Sequence, residues 1–350
     1  MKYVGLDLHK RNIFATVLDG DGRILSRGNI RSKKEDINYY LKRQGNSNDL
    51  SVAMEASYNW LYYYRVLETI TDNITIAHPL KTRIIGEAKI KTDKIDSKVL
   101  AYMLRANMLP KVYISTKTSM ENKLLLRSRI SLVRIRTGIK NKIHTIIDRN
   151  RDSYSDLENL TDIFGKTGIG ILKCTKIPEP DYMILTNYLG LIDDINKKIK
   201  ELETEIDKRL VLDKDIELLK TIPGVGNFSA FILKSKIDNI DRFISKEKFT
   251  SYAELTPSIH QSGSKAYTGK ITKQGNNFIR WALTEAAQVA IVHSSYFRYY
   301  YSKVRAKQDA TKATIAVVRR MDEIAYVLLK EKRGYIEKPI IYFTLKNHLL

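Results

Sequence analysis

The sequence is poor in cysteine, in acidic residues and in long apolar runs. Its single cysteine, Cys174, excludes an internal disulfide framework and a zinc site built from cysteines. No apolar run reaches the roughly 18 residues that a membrane-spanning helix needs. The chain opens on the strand-like Val4-Gly5-Leu6-Asp7, so we expect no signal peptide. These absences favour a soluble, intracellular protein.

Acidic residues are outnumbered by basic ones, 39 Asp and Glu against 60 Lys and Arg, which gives a net charge of +21 and a pI near 9.7. Such an excess favours a polyanionic partner, because each phosphate that a protein neutralises releases a counterion. High lysine usage in a low-GC organism is a second explanation of the positive net charge. At 350 residues the chain is long enough for two or three domains. The composition therefore indicates a nucleic-acid-binding protein.

The first hundred residues alternate strand and helix patterns. Residues 3–8, 12–18 and 23–30 predict a three-strand meander, and the Asp-Gly pairs at positions 19–22 are a hairpin signal. A polar helix over 32–43, a buried strand over 50–54, a helix over 60–70, a strand over 74–77 and a helix after Pro79 follow. The order βββαβαβα predicts a ribonuclease-H-like α/β domain with a mixed sheet.

Four carboxylates of this region are candidate metal ligands. Asp93 and Asp96 stand three apart, so they share one helical face. The predicted fold places Asp7 mid-way along the first strand, beside Glu55 at the end of the fourth, with the helix above the same edge. Carboxylates converge in this way when divalent cations hold them, and Mg²⁺ suits an all-oxygen site for phosphodiester chemistry. Each carboxylate also has an explanation that needs no metal. Neighbouring lysines could screen Asp93 and Asp96. Asp7 could be an acid in the turn at the end of a strand, and Glu55 could cap the helix that follows it.

The middle of the chain predicts two long helices. Residues 123–151 carry nine basic residues and one acid, Asp148, among apolar positions at helical spacing. This pattern favours a phosphate-tracking surface over an ordinary solvated helix, and its candidate contacts are Arg127, Arg134, Arg136, Lys140 and Lys142. Residues 161–180, rich in Gly and Pro, predict a flexible connection or an insertion. Between Leu185 and Ile206, apolar residues recur in heptads, which predicts a coiled coil with the basic helix or with a second subunit.

The last third offers a phosphate-binding turn and a serine loop. Ile222-Pro223-Gly224-Val225-Gly226 between helices predicts a helix-hairpin-helix, in which Gly224 and Gly226 let backbone N–H groups approach a phosphate, or else a plain tight turn. Further on, Ser262 and Ser264 lie in a polar loop that binds phosphate or holds a nucleophilic serine. The cations around that loop are Lys265, Lys270, Lys273 and Arg280.

Together the motifs resemble one family, the DEDD transposases of the bridge-RNA-guided insertion-sequence recombinases. The residues that carry the resemblance run in the family's order: Val4-Gly5-Leu6-Asp7, Met54-Glu55-Ala56, Lys91-Thr92-Asp93-Lys94-Ile95-Asp96, Ile222-Pro223-Gly224-Val225-Gly226, Leu255-Thr256-Pro257, Ser262-Gly263 and Gly269-Lys270-Ile271-Thr272-Lys273-Gln274-Gly275. They cover the chain to about residue 293. Residues 296–350 match least and receive no predicted role.

The resemblance implies an α/β plus α architecture: a RuvC-like domain over residues 1–112, a basic and coiled-coil region over 113–215, and a mainly helical transposase domain over 216–350. It maps a catalytic tetrad onto Asp7, Glu55, Asp93 and Asp96. It also implies a catalytic serine, which we assign to Ser262 with Ser264 as the rival.

The implied activity is cutting and rejoining of donor and target DNA. The implied partners are Mg²⁺, a structured non-coding guide RNA and further copies of the chain, as a dimer or a tetramer, in a prokaryotic cytoplasm and at the nucleoid during reaction. Two other functions fit the residues. One is a metal-dependent junction resolvase or nuclease whose serine loop only binds phosphate, and the other is a non-catalytic nucleic-acid-binding protein.

Overall fold

The computed structural model describes residues 1–57, 59–85, 93–211, 213–262, 265–271 and 275–337, with the backbone alone for residues 83–85, 93–94, 257–262 and 265–271. The chain divides into two compact units, Met1–Ile114 and Ser115–Leu350. None of the helices in the described ranges carries an apolar stretch long enough to cross a bilayer.

Unit 1 is a five-stranded mixed sheet with helices on both faces. Its elements in chain order are β1 Lys2–Leu8, β2 Asn12–Leu18, β3 Ile24–Arg31, α1 Lys34–Lys42, β4 Leu50–Glu55, α2 Trp60–Leu67, β5 Ile74–Ala77, α3 Pro79–Ile85 and α4 Asp93–Arg105. The strands lie in the order β3-β2-β1-β4-β5. The β1–β2 and β2–β3 pairs are antiparallel, whereas β1–β4 and β4–β5 are parallel. This mixed sheet confirms the predicted α/β domain.

The two faces of the sheet are separated by the alternation of side chains along each strand. Val4 and Leu6 of β1, with Val52 and Met54 of β4, belong to a core that α1 and α2 cover. The intervening residues face the other way, where Ala53 packs in a second cluster with Leu100 and Leu104 of α4 and with Ala77. The alternation therefore puts Tyr3, Gly5 and Asp7 of β1, and Ala53 and Glu55 of β4, on the face that α4 covers.

Helix α4 lies against β1 because Gly5 has no side chain. A Cβ at Gly5 would stand 2.0 Å from Ser97 O and 2.6 Å from Ala101 N. The Thr16 hydroxyl, on the residue paired with Gly5, lies 2.8 Å from Ser97 Oγ in a buried hydrogen bond. These contacts fix the height of the helix above the sheet.

Unit 2 is mainly helical. Its elements are α5 Lys117–Arg149, α6 Lys166–Cys174, α7 Glu179–Leu210, α8 Lys214–Lys220, α9 Asn227–Ile237, α10 Lys246–Tyr252, β6 Pro257–Ser262, β7 Lys265–Ile271, α11 Asn277–His293, α12 Ser295–Arg305 and α13 Ala310–Glu331. Of the two alternatives predicted for residues 161–180, the flexible connection was wrong, because α6 occupies the middle of the segment, and the insertion stays a prediction. Gly168 lets α6 start against the preceding loop, since a Cβ there would stand 2.2 Å from Ile163 O.

Helices α5 and α7 pack against each other in opposite directions. Arg149 at the end of α5 pairs with Asp181 at the start of α7, and Arg209 at the end of α7 pairs with Glu121 at the start of α5. Residues of the apolar seam, such as Leu185 and Ile192, form a core with apolar residues of α5. The partner of the seam, which the sequence left open, is therefore α5 of the same chain.

The serine region is a β-hairpin, whereas the sequence predicted a polar loop. Strands β6 and β7 pair from Pro257↔Ile271 to Ser262↔Lys265. The signal that was missed is the Gly-Ser dipeptide at positions 263–264, a pair that commonly joins antiparallel strands. Behind the hairpin, α9, α11 and α13 contribute residues such as Phe231, Ala286 and Met321 to the main core of unit 2.

Candidate active site and nucleic-acid surfaces

Asp7 and Glu55 lie side by side at the carboxyl ends of two parallel strands. The register pairs Leu6 with Met54, so the next residues of the two strands are neighbours as well. Both share the face that α4 covers. Asp7 is the next-to-last residue of β1, so the prediction of a mid-strand position was wrong, while Glu55 ends β4 as predicted. The sheet therefore brings together two of the four predicted carboxylates.

The first turn of α4 points toward the same end of the sheet. Its last turn is held at the β2–β3 turn, where the Tyr102 hydroxyl donates to Gly22 O at 3.0 Å and Arg105 Nη1 donates to Gly20 O at 3.1 Å. That turn is beside the start of β1, since Leu18 pairs with Tyr3. Helix α4 thus runs antiparallel to β1.

Asp96 stands in the first turn of α4, one residue before the buried Ser97, and is half-buried. Because α4 runs antiparallel to β1, its first turn lies beyond the contact between Gly5 and Ser97, toward the end of β1 that carries Asp7. Asp93 begins the helix, but its side chain lies outside the described residues.

His9 is a neighbour of the predicted site that sequence reasoning missed. Its Nε2 lies 3.0 Å from Asp7 Oδ2, and an ionised carboxylate only accepts, so the imidazole donates. The turn that carries His9 is fixed, because the Tyr63 hydroxyl donates to His9 O at 3.0 Å. Its only signal in the sequence is its place two residues after Asp7. A pocket of about 210 Å³ lies beside it, lined by Leu8, His9, Lys10, Ser57, Asn59 and Tyr63.

The donor set at this edge fits a hard divalent cation. Asp7, Glu55 and Asp96 offer carboxylate oxygens, which Mg²⁺ prefers over nitrogen or sulfur. Among the described side chains, no three His, Cys, Asp or Glu residues are already gathered as a metal site requires. The fit therefore rests on the chemistry of the donors and on the strand and helix ends that carry them.

The hairpin of unit 2 places Ser262 and one predicted cation opposite each other. Ser262 ends β6, Lys265 begins β7, and the two are paired in register. Lys270 lies further along β7. The side chains of Ser262, Lys265 and Lys270, and all of Ser264 and Lys273, lie outside the described residues.

Part of the basic surface predicted on α5 contacts other residues of unit 2. Arg127, Arg134 and Lys142 are exposed, and the Lys142 ammonium lies 5.8 Å from the centre of the Tyr188 ring. Arg136 Nη1 donates to Asn196 Oδ1 at 2.7 Å, and the Lys140 ammonium lies 4.4 Å from the centre of the Phe164 ring.

Three further predicted nucleic-acid contacts have structural positions in unit 2. They are Gly224, Gly226 and Arg280. Gly224 has φ +83°, and a Cβ there would stand 2.1 Å from Ala286 O of α11, so close helix packing alone requires this glycine. Gly226 is the N-cap of α9 with open space around it. Arg280 forms an ion pair with the buried Glu254.

Comparison with known proteins connects both units to one group. A transposase family model of the DEDD, IS110 type matches residues 4–150, and a model described as transposase IS116/IS110/IS902 family matches residues 216–302. Together the two models cover about two thirds of the chain.

Two curated relatives match over most of their length. The transposase for insertion sequence element IS1328 of Yersinia enterocolitica is 25% identical over 252 residues, which are 70% of this chain and 72% of that protein. The transposase for insertion sequence element IS1111A of Coxiella burnetii is 20% identical over 344 residues, 96% of this chain and 91% of that protein. The chain therefore belongs to the IS110/IS116 family of insertion-sequence transposases, enzymes of DNA recombination.

Proposed function

We propose that this transposase cuts and rejoins DNA at the ends of an insertion element and at its target through two sets of residues, the carboxylates of unit 1 and a serine of the β6–β7 hairpin. A structured non-coding RNA selects both DNA sites. The observation that carries the proposal is the β1–β4 register, which makes Asp7 and Glu55 neighbours on the face under α4.

In this proposal Asp7, Glu55, Asp93 and Asp96 hold Mg²⁺. The bound cation supplies charge neutralisation and Lewis acidity at phosphate oxygens. The chain supplies rigid placement. Two carboxylates come from strand ends in fixed register, and the helix that bears the other two is held by the contact of Gly5 with Ser97. Small displacements of catalytic groups are costly, so the close packing of α4 has a direct functional value.

The serine step is a transesterification. Ser262 Oγ forms a bond to phosphorus, the bond from phosphorus to one deoxyribose oxygen breaks, and the serine proton is balanced by protonation of that leaving oxygen. The product is a phosphoserine ester with DNA. Attack by a sugar hydroxyl of the recipient strand reverses the step and restores Ser262. Lys265, opposite Ser262 in the hairpin register, is the proposed cation for the developing phosphorane charge.

Nucleic-acid backbone contacts are proposed for the exposed cations of α5, such as Arg127 and Arg134, and for the open N-cap of α9 at Gly226. Contacts to phosphates position a duplex and carry no sequence information. Sequence choice is assigned to base pairing between the guide RNA and the two DNAs, as in other RNA-guided enzymes. In this proposal the protein recognises the charge and shape of the nucleic-acid backbone.

The proposal is tested by trapping the covalent intermediate. The purified chain is incubated with Mg²⁺, a transcript of the non-coding DNA beside its gene, and a labelled, nicked duplex carrying the element's end. Protein-linked label is then counted on a denaturing gel. We expect an adduct with the wild-type chain and with Ser264→Ala, and none with Ser262→Ala.

The same gel separates this function from its rivals. A metal-dependent nuclease without serine chemistry would cleave the duplex in Ser262→Ala as it does in the wild-type chain, with no adduct in either. A non-catalytic binding protein would leave the duplex intact in all variants, including Asp7→Asn. If Ser262→Ala fails to react alone but recovers when mixed with Asp7→Asn, the two residues act from different copies of the chain.

A further inference from the structure

A group of four cations lies where the start of α5 meets the end of α9. Ser119 of α5 donates its hydroxyl to Ser235 O of α9 at 2.9 Å, in a buried contact. Lys123 follows Ser119 by one helical turn, and Lys236 follows Ser235 directly. Arg127, one turn further along α5, and Arg242 complete what we call the cation cluster (Lys123, Arg127, Lys236 and Arg242).

Lys236 is the buried member of the cation cluster. The residue is 4% exposed, and its ammonium lies 4.2 Å from the centre of the Phe278 ring. Its backbone is anchored, because Lys236 O accepts from Arg242 Nη2 at 3.1 Å and from the Tyr252 hydroxyl at 3.2 Å. Within the described part of the chain, no carboxylate pairs with the Lys236 ammonium.

The electrostatics of Lys236 are those of a buried cation beside other cations. Burial, together with the charges of Arg127 and Lys123, lowers the pKa of Lys236 to about 8. Burial likewise lowers the pKa of Lys123 to about 8, with Asp238 opposing the shift and Arg242 and Arg127 adding to it. Asp238 itself accepts from Thr116 N at 2.8 Å and from the Thr116 hydroxyl at 2.7 Å. Asp238 thus offsets part of the charge around Lys123, whereas the side chains whose charges act on Lys236 are both cations.

The cation cluster adjoins the base of the serine hairpin. Asn276, which follows β7 and caps α11, donates from its backbone N to Tyr252 O at 2.8 Å and from Nδ2 to the Tyr252 hydroxyl at 3.1 Å. The same Tyr252 hydroxyl donates to Lys236 O. Phe278, under the Lys236 ammonium, is in the first turn of α11. The hairpin base and the cluster are therefore parts of one packed region.

We propose that the cation cluster binds a backbone phosphate of DNA, with Lys236 as the central contact. A phosphodiester carries the negative charge that no described carboxylate supplies to Lys236, and lysine is a point-charge donor that suits a phosphate. The choice of DNA over RNA rests on the proposed function, because the neighbouring hairpin is the part assigned to DNA strand transfer. The binding itself does not depend on serine chemistry.

Two readouts test the site, DNA affinity and thermal stability. The full chain carrying Lys236→Met is titrated with a fluorescein-labelled 30-base-pair duplex of random sequence, without Mg²⁺. Loss of one charged contact predicts about tenfold weaker binding at pH 7 and a salt slope shallower by about one unit. The Tm should equal or exceed that of the wild-type chain, because the variant removes a buried ammonium without a carboxylate partner. Lys198→Met, on the exposed side of α7, is the matched control and should leave affinity unchanged.

The pH dependence gives an independent signature. Lys123, Arg127, Lys236, Asp238 and Arg242 are the charged groups that face one another here. Of these, the two lysines lose their protons near pH 8, so wild-type affinity should fall between pH 7 and pH 9. Lys123→Arg keeps its charge through this range and should lose less affinity than the wild-type chain.

Three results would overturn the proposal. They are unchanged DNA affinity in Lys236→Met, a loss of affinity that accompanies a lower Tm, and a loss seen only with an RNA duplex of the same sequence. A failed adduct experiment with an intact Lys236 effect would reject the serine step and keep the phosphate site.

Discussion

Replacing Gly5 by alanine should lift α4 from the sheet and disturb the carboxylate site without touching a carboxylate. The added Cβ would meet two backbone atoms, Ser97 O at 2.0 Å and Ala101 N at 2.6 Å, and backbone cannot rotate away as a flexible side chain can. Real Cβ contacts are essentially never shorter than 3.0 Å, so the helix must move by about 1 Å.

The cost of this movement follows from the contacts that it stretches. Overpacking of a filled core usually costs about 1–3 kcal/mol. The buried hydrogen bond between the Ser97 and Thr16 hydroxyls weakens as well, which adds on the order of 1 kcal/mol. We therefore expect Gly5→Ala to lower the free energy of unfolding of unit 1 by about 2–4 kcal/mol. Gly20→Ala is the matched control, because nothing lies within 4 Å of its Cβ.

The assay uses the two tryptophans of the chain, of which Trp60 lies in unit 1 and Trp281 in unit 2. In a Trp281→Phe background, tryptophan fluorescence during urea unfolding reports unit 1 alone. Gly5→Ala should shift the midpoint to lower urea, and adduct formation should fall with it under native conditions. Equal midpoints for Gly5→Ala and Gly20→Ala would refute the close approach of α4 to β1.

Two further predictions concern unit 2. Gly224→Ala should lower the stability of unit 2 by about 2–4 kcal/mol, from overpacking against Ala286 O and from strain at φ +83°. Gly226→Ala, with open space around its Cβ, should cost less than about 1 kcal/mol. Both are measured by urea unfolding in a Trp60→Phe background, where Trp281 reports unit 2. Burial raises the pKa of the fully buried Asp322 well above its ordinary value, and the Thr250 hydroxyl offsets this only in part. The unfolded chain therefore ionises this group first, and stability falls as pH rises above the unfolded pKa of about 3.9. Asp322→Asn should raise the Tm at pH 7 and bring no gain near pH 3, and a lower Tm at pH 7 would contradict this reasoning.

Periodicity was sufficient to predict unit 1. The mixed sheet was predicted from alternating apolar residues, an Asp-Gly turn and two short buried runs. Alternation is informative because every second side chain of a strand faces the core. The same alternation, applied to Asp7 and Glu55, predicts that they share a face. What the sequence could not show is the height of α4 above β1, which depends on Gly5 meeting a backbone carbonyl 92 positions away.

Unit 2 was harder to predict because its glycines and charges have meanings that depend on tertiary contacts. Gly168 resembles a linker residue in sequence but starts α6 against Ile163. Lys236 resembles a solvated helix-end lysine, yet it is buried over Phe278. On α5 the scarcity of acidic residues indicated a nucleic-acid-binding surface. In the structure, α7 supplies acidic partners for some of the α5 cations, since Glu203 pairs with Arg129 at 2.7 Å.

The claim that Asp7, Glu55, Asp93 and Asp96 hold divalent metal is tested most directly by iron-catalysed cleavage of the backbone at the proposed metal site. Fe²⁺ replaces Mg²⁺ in the full chain, ascorbate and peroxide generate radicals at the bound ion, and the fragments are mapped by mass spectrometry. The account predicts cuts within residues 5–9, 53–57 and 93–97, suppressed by excess Mg²⁺ and by Asp7→Asn. Cuts elsewhere, or the same cuts in Asp7→Asn, would contradict it.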